Sequence, residues 1–158
     1  MTTTHPTLGE ARLPRNPLLS EVLSLVSKQK TKAKKIQTLK QYESLHLKSV
    51  LIWNFDESVK SMLPDGDVPF KKNEAPAGTE HLHLAYEWKK LYNFVKGGND
   101  VLRPMKREQL FMQLLEGLHP DEAEIICLVK DKNLKKKYKL TRAIVEEAFP
   151  DIQWGNRS

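Results

Sequence analysis

Apolar residues recur every three or four positions along much of the chain, and this spacing is typical of α-helices that pack one face on a core. Three such stretches lie in the first part of the chain, and each follows residues that can begin a helix. They lie at about 18–28 after Asn16-Pro17, at about 32–42 after Thr31, and after Ser44 as far as Phe55. A short turn of helix is expected at Asp56 to Met62.

A fourth stretch predicts a helix that is capped by Thr79, carries Glu80 in its first turn and ends at Gly97-Gly98. Its apolar positions lie along one face, at Leu84, Trp88, Leu91 and Val95. A pair of glycines after such a stretch is a common helix end, because glycine adopts the left-handed conformation found there.

Three further helices are predicted, opened by Pro104, by Pro120 and by the cap Thr141. They end at Gly117, in the lysine-rich run 130–139, and at Phe149-Pro150. No sustained alternation of apolar and polar residues is present, so we expect no sheet. The pattern therefore predicts an all-α fold, a small multi-helix domain of about seven helices.

A proline-rich loop separates the two groups of predicted helices. Residues 63–78 read LPDGDVPFKKNEAPAG, and sixteen residues without periodic structure are more than a compact domain usually carries. The loop is therefore either functional or a linker between two helical halves. The expected organisation is a flexible N-terminal arm 1–16, a single helical domain 17–152 with halves 17–62 and 79–152 joined by the loop, and a C-terminal tail 153–158.

Lysines concentrate in two segments of the chain. The 158 residues carry a formal net charge of +6, and this balance favours acidic or polyanionic partners through long-range attraction. The first lysine segment consists of Lys28, Lys30, Lys32, Lys34 and Lys35. The second lysine segment consists of Lys130, Lys132, Lys135, Lys136, Lys137 and Lys139.

Two interpretations of these lysine segments stay open. They form either a solvated face that keeps the protein soluble, or a surface that binds nucleic acid non-specifically or an acidic protein partner. The predominance of lysine over arginine favours contact with the phosphate backbone over the reading of bases. No zinc-finger spacing, RNA-recognition signature or basic zipper narrows the choice.

The proline-rich loop offers a second candidate contact. It brings Phe70 next to Lys71 and Lys72 in a segment with few apolar residues of its own. An aromatic anchor beside two cations suits docking on an acidic protein groove or stacking on a base. The alternative is a loop packed by its own Phe70 and prolines.

No residue pattern indicates catalysis, a metal or a cofactor. His83 and Glu87 lie one helical turn apart, but zinc normally takes three or four protein ligands. Gly97-Gly98 fits neither phosphate-binding glycine motif. Cys127 is the one cysteine, it lies in an apolar run, and we expect an inert thiol. The sequence predicts a non-enzymatic protein without cofactor, membrane span or export signal.

Several long strings in one order resemble a family of short proteins of unknown function from myovirus-type phages, cyanophages especially. The strings are NEAPAGTEH at 73–81, LYNFVKGGN at 91–99, KREQLFMQLLEGLHPDEAE at 106–124 and KKYKLTRAIVEEAFPDI at 136–152. The resemblance spans roughly residues 17–152. It implies a phage protein that acts in the cytoplasm of an infected bacterium or is built into a virion, and it supplies no site residues.

Charge, helicity and the implied setting together favour a small basic binding module. Its expected partner is nucleic acid or the machinery that processes it, for example a polymerase. A structural or assembly protein of the virion and an inhibitor of a host protein remain alternatives. The oligomeric state leaves no signature in the sequence.

Overall fold

The computed structural model describes residue 13 and residues 16–76 and 81–157. Within these ranges it contains seven α-helices, two 3₁₀ helices at Trp88–Phe94 and Leu134–Lys136, and no β-strand. The α-helices are α1 (Leu19–Lys28), α2 (Lys32–Gln41), α3 (Leu45–Phe55), α4 (Leu84–Glu87), α5 (Pro104–Gly117), α6 (Pro120–Lys130) and α7 (Arg142–Ala148). The predicted all-α fold of about seven helices is confirmed. The expected flexible arm 1–16 lies almost wholly outside the described residues.

Helix α6 lies at the centre of the fold. It packs against α1, α3 and α5, and its residues Ala123, Ile125, Ile126 and Val129 are completely buried. The paired helices α2 and α7 lie to one side, and α1 joins them to α6. Residues on both sides of the proline-rich loop share one hydrophobic core. None of the helices in the described ranges is long and apolar enough to cross a membrane.

Three of the predicted helix caps are confirmed. The hydroxyls of Thr31, Ser44 and Thr141 accept hydrogen bonds from the backbone N–H groups three residues later, at 3.2, 3.2 and 3.3 Å. Each bond satisfies one of the backbone donors that a helix N-terminus leaves without an intrahelical partner. Helices α2, α3 and α7 therefore begin where the sequence predicts.

The start of α1 differs from the prediction. The helix begins at Leu19, and Asn16-Pro17 lies outside it. Glu21 accepts a hydrogen bond from the Leu18 N–H at 2.9 Å, and the Leu19 N–H donates to Glu122 Oε2 at 2.9 Å. Distant Glu122 satisfies a donor that Asn16 was expected to cap.

The predicted helix from Thr79 to Gly97-Gly98 is much shorter than expected. Leu82 pairs with Leu118 in an isolated parallel bridge, so the backbone is extended just before α4. Only four residues are α-helical, and a 3₁₀ helix follows from Trp88 to Phe94. Thr79 and Glu80 lie outside the described residues. Contacts with distant backbone therefore override the helical spacing of this stretch.

The turn of helix expected at Asp56 to Met62 is absent from the structure. Asp56 Oδ1 instead accepts hydrogen bonds from the N–H and the hydroxyl of Ser58, at 2.8 and 2.7 Å. Ser61 then forms an isolated antiparallel bridge with Val95. An aspartate that bonds the backbone two residues ahead favours a turn over a helix.

Asp56 also anchors the C-terminal tail. This carboxylate is 2% exposed, and its Oδ2 accepts from the Gly155 N–H at 2.9 Å and from Arg157 Nη1 at 2.8 Å. Burial raises the pKa of the Asp56 carboxyl. The hydrogen bonds from Gly155 and Ser58 and the charge of Arg157 together outweigh burial and lower the pKa to about 2. The ionised form therefore holds the tail on the fold.

Replacement of the central carboxylate by Glu122→Ala is expected to lower the free energy of unfolding by about 3 kcal/mol. Glu122 Oε1 and Oε2 accept from the buried N–H groups of Leu84, at 3.1 Å, and Leu19, and both donors would lose their partner. Urea unfolding followed by circular dichroism measures the change. Glu108→Ala on the exposed surface of α5 is the control, and equal stability of the two variants would contradict this role.

Asp56→Asn is expected to destabilise the protein at neutral pH and to do so less in acid. The folded pKa of about 2 lies below the ordinary 3.8, so the stabilisation is present above pH 3.8 and is lost as the pH falls towards 2. The difference between the folded and the ordinary pKa of Asp56 corresponds to about 2 kcal/mol of stability. Urea unfolding across that pH range measures it, with exposed Asp65→Asn as control. A variant effect that does not shrink in acid would refute the assignment.

Candidate polyanion-binding surface

The fold brings the two lysine segments together. Lys35 Nζ donates a hydrogen bond to the backbone carbonyl of Lys139 at 2.9 Å, and the Lys139 N–H donates to the hydroxyl of Ser27 at 3.3 Å. The end of α1 and the start of α2 therefore lie against the stretch that precedes α7. We call Lys28, Lys30, Lys34, Lys35 and Lys139 the lysine surface.

A shallow pocket provides a second contact between the lysine segments. Lys28 and Lys137 both line this pocket of about 280 Å³, together with the buried aromatic ring of Tyr138. Lys137 is also ion-paired with Glu124, so its charge is partly balanced. Glu21 and Asp121 line the same pocket, so the surface between Lys28 and Lys137 carries charges of both signs.

Two carboxylates lie in the pocket beside Lys28 but do not pair with it. Within the described part of the chain, none of the five members of the lysine surface forms an ion pair. Partial burial and, to a smaller extent, repulsion by the nearby charge of Lys139 lower the pKa of Lys35. An anion bound here would relieve that repulsion.

Two members of the second lysine segment have internal roles. Lys130 is 3% exposed, and its Nζ donates to the carbonyls of Pro64 and Gly66 at 2.7 and 3.0 Å and pairs with Asp131 at 2.7 Å. It thereby fastens the proline-rich loop to α6. The sequence alone does not distinguish Lys130 from the exposed lysines around it, but Lys130 is buried and therefore not accessible to a partner.

Lys132 is the other lysine with an internal role. Its Nζ donates to the carbonyls of Trp53 and Asp56 at 2.7 and 2.8 Å, which satisfies backbone acceptors at the end of α3. Burial lowers its pKa. Lys132 also has a positive φ of 58° in the turn that ends α6.

The remaining lysines of the two segments are exposed. Lys32 pairs with Glu147 at 2.8 Å, and Lys135 and Lys136 have no ion pair within the described ranges. Ion pairs between exposed groups contribute little, so Lys32 could exchange Glu147 for a phosphate at small cost.

The candidate contact loop is only partly free of the core. Its described residues 63–76 contain no helix or strand, as predicted, while 77–78 lie outside the described residues. Phe70 is half-buried and packs on the core, and Lys71 and Lys72 are exposed. The Lys71 N–H donates to Glu116 at 3.1 Å.

A cleft of about 740 Å³ lies between this loop and the second lysine segment. Lys72, Lys136 and Lys137 line the cleft, but so do four carboxylates, those of Asp67, Asp121, Glu124 and Asp131. The cleft is therefore not cationic. The contact loop and the lysine surface do not form one continuous basic track through it.

The groups that could carry other chemistry are not brought together. Within the described residues, no three His, Cys, Asp or Glu side chains are placed to hold a metal ion. Burial raises the pKa of the Cys127 thiol to about 11, so the thiol is protonated at neutral pH. His81 and His119 lie with ring centroids 5.2 Å apart, and neither ring nitrogen of His81 has a hydrogen-bond partner among the residues that the structure describes.

Comparison with known proteins identifies a family but gives no activity for it. Residues 22–136 match the model of DUF6433, a family of unknown function. No curated protein and no solved structure shows significant similarity to the chain.

Lys130→Met is expected to lower the free energy of unfolding by about 3 kcal/mol, because the half-buried carboxylate of Asp131 and two loop carbonyls would lose their buried donor. We also expect faster proteolytic cleavage within residues 63–76. Chemical unfolding and limited proteolysis measure the two effects. The exposed neighbour Lys136→Met is the control, and a Lys130→Met protein with wild-type stability would be inconsistent with the internal role.

Proposed function

The chain belongs to the DUF6433 family of unknown function, and from its own surface we propose that it is a small basic module that binds nucleic acid without catalytic activity. The observation that carries the proposal is the junction of Lys35 with Lys139, which places one lysine of the second segment beside the first segment. A chain with solvated, scattered lysines would not need to bring like charges together.

The charge balance supports phosphate groups as the ligand. Five lysines in residues 28–35 and at residue 139 form no ion pair within the described residues, and burial and the charge of Lys139 lower the pKa of Lys35. Each lysine that approaches a phosphate releases condensed counterions, which gives favourable binding at low salt. Nucleic acid supplies a row of such phosphates, whereas a single anion satisfies only one or two lysines.

The composition of the surface supports contact with the backbone and not with bases. All five members are lysines, and lysine is a point charge that lacks the planar fork with which arginine reads guanine. Binding of this kind depends little on sequence. The module would therefore cover many sites, or hold nucleic acid for a second protein that acts on it.

We also propose that the setting is a bacterium infected by a phage. This rests on the resemblance of strings such as LYNFVKGGN and LTRAIVEEAFPDI to short myovirus-type phage proteins. Abundance in infected cell extract and absence from purified particles would agree with a cytoplasmic binding role. Abundance in the particles would instead favour a structural role.

The triple variant Lys30→Gln, Lys34→Gln, Lys139→Gln is expected to lose most affinity for mixed-sequence duplex DNA at low salt. The slope of log K against log salt should become shallower by about 0.9 for each lysine that contacts a phosphate. Electrophoretic mobility shift or fluorescence anisotropy at salt concentrations between about 50 and 200 mM measures both quantities.

The matched control removes the same charge elsewhere, with Lys60→Gln, Lys90→Gln and Lys106→Gln. It should retain most of the affinity, because long-range attraction contributes less than direct contact at these salt concentrations. Absence of any binding by the wild-type protein at low salt would refute the proposal. Equal losses in the two triple variants would show that net charge, and not the lysine surface, is responsible.

A further inference from the structure

A second, apolar pocket lies away from the residues of the lysine surface. It has a volume of about 300 Å³ and lies between α3, the 3₁₀ helix Trp88–Phe94 and the C-terminal tail. Its walls include the rings of Trp53, Trp88 and Tyr92. Concave sites of this size with mostly apolar and aromatic walls and a few polar groups are typical of small-molecule sites.

The aromatic walls of this pocket differ in exposure. Trp53 is 3% exposed and forms part of the core, Trp88 is half-buried, and Tyr92 is 52% exposed. A large exposed ring beside a half-buried one offers flat surfaces for a planar ligand. Offset stacking between aromatic rings is favourable and does not depend on the identity of a base.

The polar groups around the pocket are cationic. Lys89, Lys96 and Arg157 line it, and no Asp or Glu occurs among the described residues that do so. Arg157 already pairs with Asp56 at 2.8 Å. Lys89 and Lys96 are exposed and have no ion pair within the described part of the chain, so their charges are available to a ligand.

The rim near Tyr92 is held closely by a glycine turn. A Cβ atom on Gly98 would lie 2.0 Å from the carbonyl oxygen of Tyr92, so only glycine permits this approach. Asp100 Oδ1 accepts from the Gly97 N–H at 2.8 Å, and Asn99 donates to Asn93 at 2.9 Å. The turn is thereby fixed against the segment that carries Tyr92.

The inner wall has unused hydrogen-bonding capacity. The indole N–H of Trp53 is buried and has no acceptor within the described ranges. Buried donors normally have a partner, which makes this one unusual.

We propose that this pocket binds a nucleoside monophosphate, with the planar base against Trp88 and Tyr92 and the phosphate beside Lys89 and Lys96. Apolar aromatic walls alone would accept many planar molecules. The pair of uncompensated lysines selects those that carry negative charge. This site stands on its own residues, so it holds whether or not the lysine surface binds DNA.

The test uses the three tryptophans as reporters, because each gives its own indole N–H signal in a ¹H–¹⁵N spectrum. Titration with AMP or UMP is expected to shift the signals of Trp53 and Trp88 to saturation. The signal of Trp154, whose ring lies under Arg142 with a centroid distance of 4.6 Å, should stay in place. Trp→Phe variants assign the signals.

Separate titrations with adenosine and with inorganic phosphate test the contributions of the nucleoside and of the phosphate to binding. Adenosine should shift the same signals with about tenfold lower affinity, and inorganic phosphate alone should leave them nearly unchanged. Lys89→Gln with Lys96→Gln should reduce the affinity for AMP to that for adenosine and leave adenosine binding unaltered. Lys40→Gln with Lys106→Gln is the control of equal charge and should bind AMP as the wild type does.

Two results would overturn the proposal. One is the absence of saturable shifts of Trp53 and Trp88 at millimolar AMP and UMP. The other is undiminished AMP affinity in the Lys89→Gln, Lys96→Gln protein, whose substitutions lie on the surface and preserve the fold. Trp88→Leu should abolish binding, and a native-like dispersion of its remaining signals verifies that it is folded.

Discussion

The carboxylate of Glu122 is the constraint on which the arrangement of helices depends. It lies in the first turn of the central helix α6, is 2% exposed, and accepts the N–H groups of Leu19 and Leu84 at the starts of α1 and α4. Negative charge is favourable beside helix N-termini, and three of them converge here. One side chain therefore sets where two distant segments of the chain meet α6, and the core closes around that point.

The lysines show how one residue type serves two purposes. Lys130 and Lys132 extend long apolar stems through the interior and end on backbone carbonyls, where their charge replaces water as a donor. Four members of the lysine surface, Lys28, Lys30, Lys34 and Lys139, are instead exposed and form no ion pair within the described residues. Of the six lysines of the second segment, Lys130 and Lys132 are thus not available to a polyanion.

The sequence predicts the parts of the fold that local interactions decide. Thr31, Ser44 and Thr141 cap helices because their partners lie three residues away. The stretch before α4 was mispredicted because Leu82 is paired with Leu118, a contact that no local pattern contains.

The candidate surface could be predicted only in part. The lysine segments are visible in the sequence, while the burial of Lys130 and the junction of Lys35 with Lys139 depend on tertiary packing. The aromatic pocket combines residues from α3, the 3₁₀ helix and the tail, so only the fold reveals it.

The junction of Lys35 with Lys139 joins residues that are 104 positions apart in the chain. The unfolded chain carries the same lysines but cannot hold them in this arrangement. A polyanion that prefers the arrangement must therefore also favour the folded state, by an amount that grows with its concentration relative to its dissociation constant. Binding and folding are thermodynamically linked at this surface, so the ligand would act as a stabiliser of the entire helical domain.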